Sequence, residues 1–193
     1  MHIRLTVATA LALSLAACGS QEDAVAPADD AVEQADAAGQ ALDLNSPQGF
    51  IDMAASSDMY EIEAGKLAQQ MGTSAAVKEF GAMMEKDHAA SSEKLKAAAA
   101  DANQGLSVPT AMQPKHQQQL DALRGAGANF DTLYAQQQQA AHQEALNLLN
   151  SQAQAGTVAS LKAFAAEAQP VVQGHLEHAR ELAKPSSVPI SAG

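Results

Sequence analysis

From Phe50 onward, apolar residues recur every three or four positions through four long stretches. Phe50, Ala54, Ser57, Glu61, Ala64, Ala68 and Met71 fall in one row. Val77, Phe80, Met84, His88, Ser91 or Ser92, and Leu95 form a second row. Phe130, Tyr134, Ala141, Ala145, Leu148 and Leu149 form a third, and Leu161, Ala165, Ala168, Val172, His175, Ala179 and Leu182 a fourth. This is the period of an α-helix with one buried face. The punctuation agrees. Ser46 is placed to cap a helix that has Pro47 at its first position and ends at about Met71, before Gly72. Thr73 or Ser74 starts a second helix, which runs to about Asn103. Gly105 and Pro109 mark a connection holding a short helix, about Pro114 to Arg124, which Gly125 and Gly127 break. Asn129 and Thr157 are placed to cap helices over about 130–155 and 158–184, with Pro170 expected to kink the last.

The expected fold is all-α: a ferritin-like four-helix bundle of two antiparallel hairpins joined by a long crossover that contains a short helix. Up-down-up-down connectivity is the alternative if the crossover folds locally. Ala, Gln, Leu, Met, Lys and Glu dominate the domain, which is helix composition. The domain spans 46–184. Residues 185–193, with Pro185 and Pro189, read as a disordered tail. Ahead of the domain, Ala, Asp, Glu, Gln and Pro fill a stretch with few large apolar side chains, which reads as a disordered acidic tether.

The chain's N-terminus adds an address. Leu5 to Ala17 is apolar apart from Thr and Ser, too short to span a bilayer, and it ends in Leu15-Ala16-Ala17-Cys18. This resembles the cleavage site of a bacterial lipoprotein. The expectation is a signal peptide over 1–17, lipidation of Cys18 and a tether over 18–45. The membrane is then a partner through that lipid, and Gly19 leans towards the outer membrane, facing the periplasm. Cys18 is the only cysteine, so the mature fold rests on packing without disulfides. Loss of Arg4 with the leader takes the formal charge from −11 to −12. With no basic cluster, that charge argues against nucleic acid.

Four polar residues interrupt the apolar rows. Glu61, His88 and His175 lie within their stripes, and His142 lies at the edge of its own. Each helix thus offers one inward candidate ligand, and a Glu/His₃ set suits one Zn, Fe, Cu or Ni ion. A di-iron carboxylate site fits less well. Glu85-x-x-His88 matches that plan once, but Val172-x-x-His175 lacks the carboxylate. The alternative is a buried polar network in which Glu61 accepts from imidazoles. His178 and His116 are expected at the surface, and Gln117–Gln119 and Gln136–Gln139 as polar helix faces. Met83 and Met84 read as core. There is no nucleophilic triad spacing and no Gly-rich phosphate loop, so an enzyme ranks third.

Several segments resemble one family: Asp58-Met59-Tyr60-Glu61-Ile62-Glu63-Ala64-Gly65-Lys66-Leu67-Ala68, Met83-Met84-Glu85-Lys86-Asp87-His88, Phe130-Asp131-Thr132-Leu133-Tyr134 followed by His142, and Pro170-Val171-Val172-Gln173-Gly174-His175-Leu176. Together they are similar to the bacterial domain of unknown function 4142, over about residues 47–183. The resemblance implies a ferritin-like helical domain of exported proteins, with Glu61, His88, His142 and His175 on its Glu and His positions. It implies no activity. Two functions follow as expectations. One is a lipid-anchored envelope protein that holds a metal ion for storage, sensing or stress protection. The other is a non-catalytic helical module that contacts another envelope protein and whose Glu/His network is structural.

Overall fold

Ser46 Oγ accepts from Gly49 N at 3.0 Å and Pro47 fills the first position, so the first helix begins where the sequence places it. A computed structural model describes residues 43–44 and 46–184. The leader, Cys18, nearly all of the tether and the tail lie outside the described residues. The described residues form five α-helices: α1 (Pro47–Met71), α2 (Ala75–Asp101), α3 (Pro114–Arg124), α4 (Phe130–Ala155) and α5 (Ala159–Leu182), with a 3₁₀ turn at Gly127–Asn129. There is no strand among the described residues. The expected ends hold to within a few residues. The cap of α2 is Ser74, whose Oγ accepts from Val77 N at 3.2 Å. α2 stops at Asp101, and Asn103 turns left-handed at φ 50°, a conformation Asn tolerates. α5 starts after Val158, without a side-chain cap, and not after Thr157. It continues through Pro170, which is exposed.

Helix directions follow from cross-helix pairs. α1 packs on α2 and α4 on α5, each pair joined by a short turn. Between α2 and α5, Asp87 meets His175, Lys94 meets Glu167, and Ala98 O meets Ser160. One number rises as the other falls, so these helices are antiparallel. Between α1 and α4, Glu61 pairs with Gln138 and Thr73 with Asp131, so they are antiparallel too. The order of the four long helices is therefore up, down, down, up, and the up-down-up-down alternative is excluded. The connection from α2 to α4 runs along α1. Gln48 bonds Ser107 through both its amide atoms (2.7 and 3.1 Å), and Ser56 Oγ accepts from Gln113 N at 2.7 Å. α3 then continues along α1 and α4.

The α1–α2 hairpin is tight because glycines face each other. A Cβ on Gly65 would stand 2.5 Å from Gly81 O, and one on Gly81 would stand 2.7 Å from Gly65 O. Only hydrogen fits at that approach. The apolar interior is in two parts. One cluster joins Phe50, Ile51, Leu95, Leu146, Leu149, Leu161, Phe164 and Val172. The other joins Tyr60, Ala68, Phe80, Met84, Leu123, Phe130, Tyr134 and Ala179. On α2, α4 and α5 the break between the two falls around His88, His142 and His175.

Candidate metal centre

Each of the three histidines comes from the middle of a different long helix, and all three are buried: His88 5%, His142 1% and His175 5% exposed. One ring nitrogen from each lies within 4.8 Å of the other two. The ring centroids stand 5.3 to 5.7 Å apart. Phe80 packs against His142 and His175.

One nitrogen of each ring is tied to the protein. His88 Nδ1 lies 2.7 Å from Asp58 Oδ1, and Ser92 Oγ supports the other oxygen of that carboxylate at 3.4 Å. His142 Nδ1 lies 2.8 Å from Gln138 O, one turn back on α4. A carbonyl only accepts, so His142 carries its hydrogen on Nδ1. His175 Nε2 lies 3.1 Å from Asp87 Oδ2. The carboxylates of Asp58 and Asp87 accept in the same way. The remaining nitrogens are His88 Nε2, His142 Nε2 and His175 Nδ1, and each is buried without a hydrogen-bond partner among the described residues. In the neutral rings all three are lone-pair nitrogens. Imidazoles that ligate metals have this arrangement, with the far N–H held by a carboxylate or a backbone carbonyl.

Glu61 is also buried, at 1% exposure. Its Oε2 accepts from Gln138 Nε2 at 2.6 Å, and its Oε1 stands 3.8 Å from His142 Nδ1. It thus shares the polar layer but faces the tethered nitrogen of His142, outside the three-nitrogen group. Burial pushes Glu61 up to about 7, with Asp58 adding to the rise and His88 and Gln138 opposing it. Burial works against a charge on His88. The hydrogen bond and charge of Asp58, with Glu61 and Asp87, outweigh it and raise its pKa. Burial, together with the charge of His88, holds His142 down to about 3. Burial and His88 also lower His175, against the pull of Asp87.

Some expectations need correction. His142 is central and not at the edge of its face. His116 is not a surface residue: it is 4% exposed, stacks on Tyr60 at 5.5 Å and pairs with Ser56 Oγ at 2.6 Å. Its place was legible, since His116, Leu120 and Leu123 form a helical stripe on α3. Gln138, read as part of a polar run, is fully buried and holds Glu61. Asp58 was missed, although it stands four residues after Ala54 and three before Glu61. His178 is exposed as expected, its ring 4.9 Å from Phe80, and Met84 is core. No helix among the described residues is long and apolar enough to cross a membrane.

A cleft of about 220 Å³ opens between α2 and α5 and reaches His88 and His175. No curated protein matches the chain, and no solved structure matches it. A family model described as "Domain of unknown function (DUF4142)" matches residues 31–182, most of the chain, and the protein belongs to that family.

Proposed function

We propose that the bundle holds one transition-metal ion on His88, His142 and His175, with Glu61 beside it in the same buried polar layer. The observation that carries this reading is the cluster of three buried histidines, each with one ring nitrogen that has no hydrogen-bond partner among the described residues. A self-contained polar network would need donors there. A proton on His88 Nε2 would supply one neighbour and leave the other bare. A cation satisfies all three lone pairs at once. Imidazole donors suit Zn, Cu, Fe or Ni. The second reading, a helical interaction module with a structural Glu/His layer, draws on the Gln138–Glu61 and Asp58–His88 bonds. It gives the three nitrogens no partner.

The setting proposed for this site is the cell envelope, with the bundle tethered through lipid on Cys18. The sequence Leu15-Ala16-Ala17-Cys18 after a short apolar run supports that setting. A role in metal storage, sensing or stress protection fits an ion enclosed by four helices.

Thermal unfolding tests the metal reading. A ligand bound only by the folded state adds about 2.7 kcal/mol at a hundredfold excess over its Kd. Zinc added to chelator-stripped protein should raise the melting temperature of wild type and leave His142→Ala unmoved. Equal melting temperatures with and without zinc, copper, iron and nickel in wild type would favour the structural layer. The stabilisation should fade as pH falls through the histidine range, because protons and metal compete for the same nitrogens.

A further inference from the structure

The geometry points to an exchangeable coordination position on the proposed ion, reached by way of the α2–α5 cleft and suited to water or another small monodentate ligand. This inference rests on the metal reading and goes beyond it: the site would take a ligand from solution as well as hold an ion. Three observations carry it. First, the protein offers three clustered nitrogens, and a four-coordinate ion on three protein ligands keeps one position for solvent or substrate. Second, Glu61 does not occupy that side. It comes from α1 and stands against the tethered nitrogen of His142, whereas the cleft lies between α2 and α5. Third, His88 and His175 both line this cleft, while their unpartnered nitrogens lie buried behind its wall.

Its walls set the class of ligand. Phe164, Ala168, Val171 and Val172 make most of the lining apolar, and Val171 is 48% exposed. Lys94 and Glu167 also line it and pair with each other at 2.6 Å, from α2 to α5. Asp87 is committed to His175. No unpaired cation is left to recognise a large anion, and about 220 Å³ admits only a small molecule. Water, a small inorganic anion or a neutral diatomic fits this description better than an organic metabolite with several charged groups.

The test uses cobalt(II), whose visible spectrum reports its ligands, with azide as the probe. Full-length protein loaded with one equivalent of cobalt should show a d–d spectrum that changes saturably as azide is added. Val171→Trp, at an exposed wall position, should bind cobalt normally and take up azide at least tenfold more slowly. A cobalt spectrum that azide leaves unchanged, or that vanishes because azide strips the ion, overturns the open position while the metal reading stands. Equal azide rates in wild type and Val171→Trp overturn entry through this cleft. Protein that takes up no cobalt overturns both the inference and the reading beneath it.

Discussion

His142 shows at the scale of one residue how this site is prepared. Its Nδ1–H is used by the carbonyl one turn back, so its other nitrogen faces the bundle interior with a lone pair and nothing to accept from. Asp58 and Asp87 do the same for His88 and His175 from neighbouring helices. Partners of this kind typically contribute ten- to a hundredfold to metal affinity. Asp58→Asn should therefore weaken zinc binding by about that factor while the fold persists, measured by competition with a chromogenic chelator. Unchanged affinity would mean that Asp58 does not orient a ligand. The histidines were legible in the sequence because each falls on an apolar stripe. Glu61 was legible for the same reason, but its orientation within the layer was not, since periodicity gives the face of a helix and not the direction of a carboxylate. Asp58 and Gln138 carried a usable signal at helical spacing. Gln138 was hidden by its three identical neighbours, which make the whole run look solvated.

At the scale of the elements, one contact ties the two hairpins at the turn between α1 and α2. Asp131, in the first turn of α4, accepts from Thr73 N (2.8 Å), Thr73 Oγ1 (2.7 Å) and Ser74 N (2.9 Å). It thereby pins the turn that leads into α2 from another helix. Partial burial works against its charge, but these hydrogen bonds outweigh it and hold its carboxyl below the usual range. The sign follows. A carboxyl whose pKa is lowered in the folded state stabilises above its unfolded value, about 3.9, and loses that contribution as pH falls through the folded value. Asp131→Ala should cost about 1–2 kcal/mol at pH 7, and the gap to wild type should be smaller at pH 2. Urea unfolding at both pH values checks this. A gap of the same size at both would assign the effect to something other than the carboxylate. Helix ends came through in the sequence wherever Ser, Pro or Gly marks them, at Ser46, Pro47, Gly72 and Ser74. The start of α5 did not, because Val158 caps it without a side-chain hydrogen bond.

At the scale of the whole molecule, the polar layer divides the interior into two apolar clusters, one towards each end of the bundle. Such a layer lowers the apolar content of the core, and the metal reading gives it a use. The up-down-down-up order goes with a crossover as long as the bundle, 28 residues between α2 and α4. The direction of that crossover needed the Gln48–Ser107 and Ser56–Gln113 contacts, which join residues 59 and 57 positions apart and have no local signature. For the anchor, Cys18→Ser should release the protein from the membrane fraction or leave its leader uncleaved. Membrane retention with normal processing in that variant would contradict the lipoprotein reading.

The central claim is that His88 Nε2, His142 Nε2 and His175 Nδ1 share one ion. Diffraction from a crystal of the zinc-loaded protein, recorded at the zinc absorption edge, tests it most directly. One strong anomalous peak about 2.0–2.1 Å from all three nitrogens is expected. An ordered water or a ring-to-ring hydrogen bond in that place, with zinc elsewhere or absent, would contradict it.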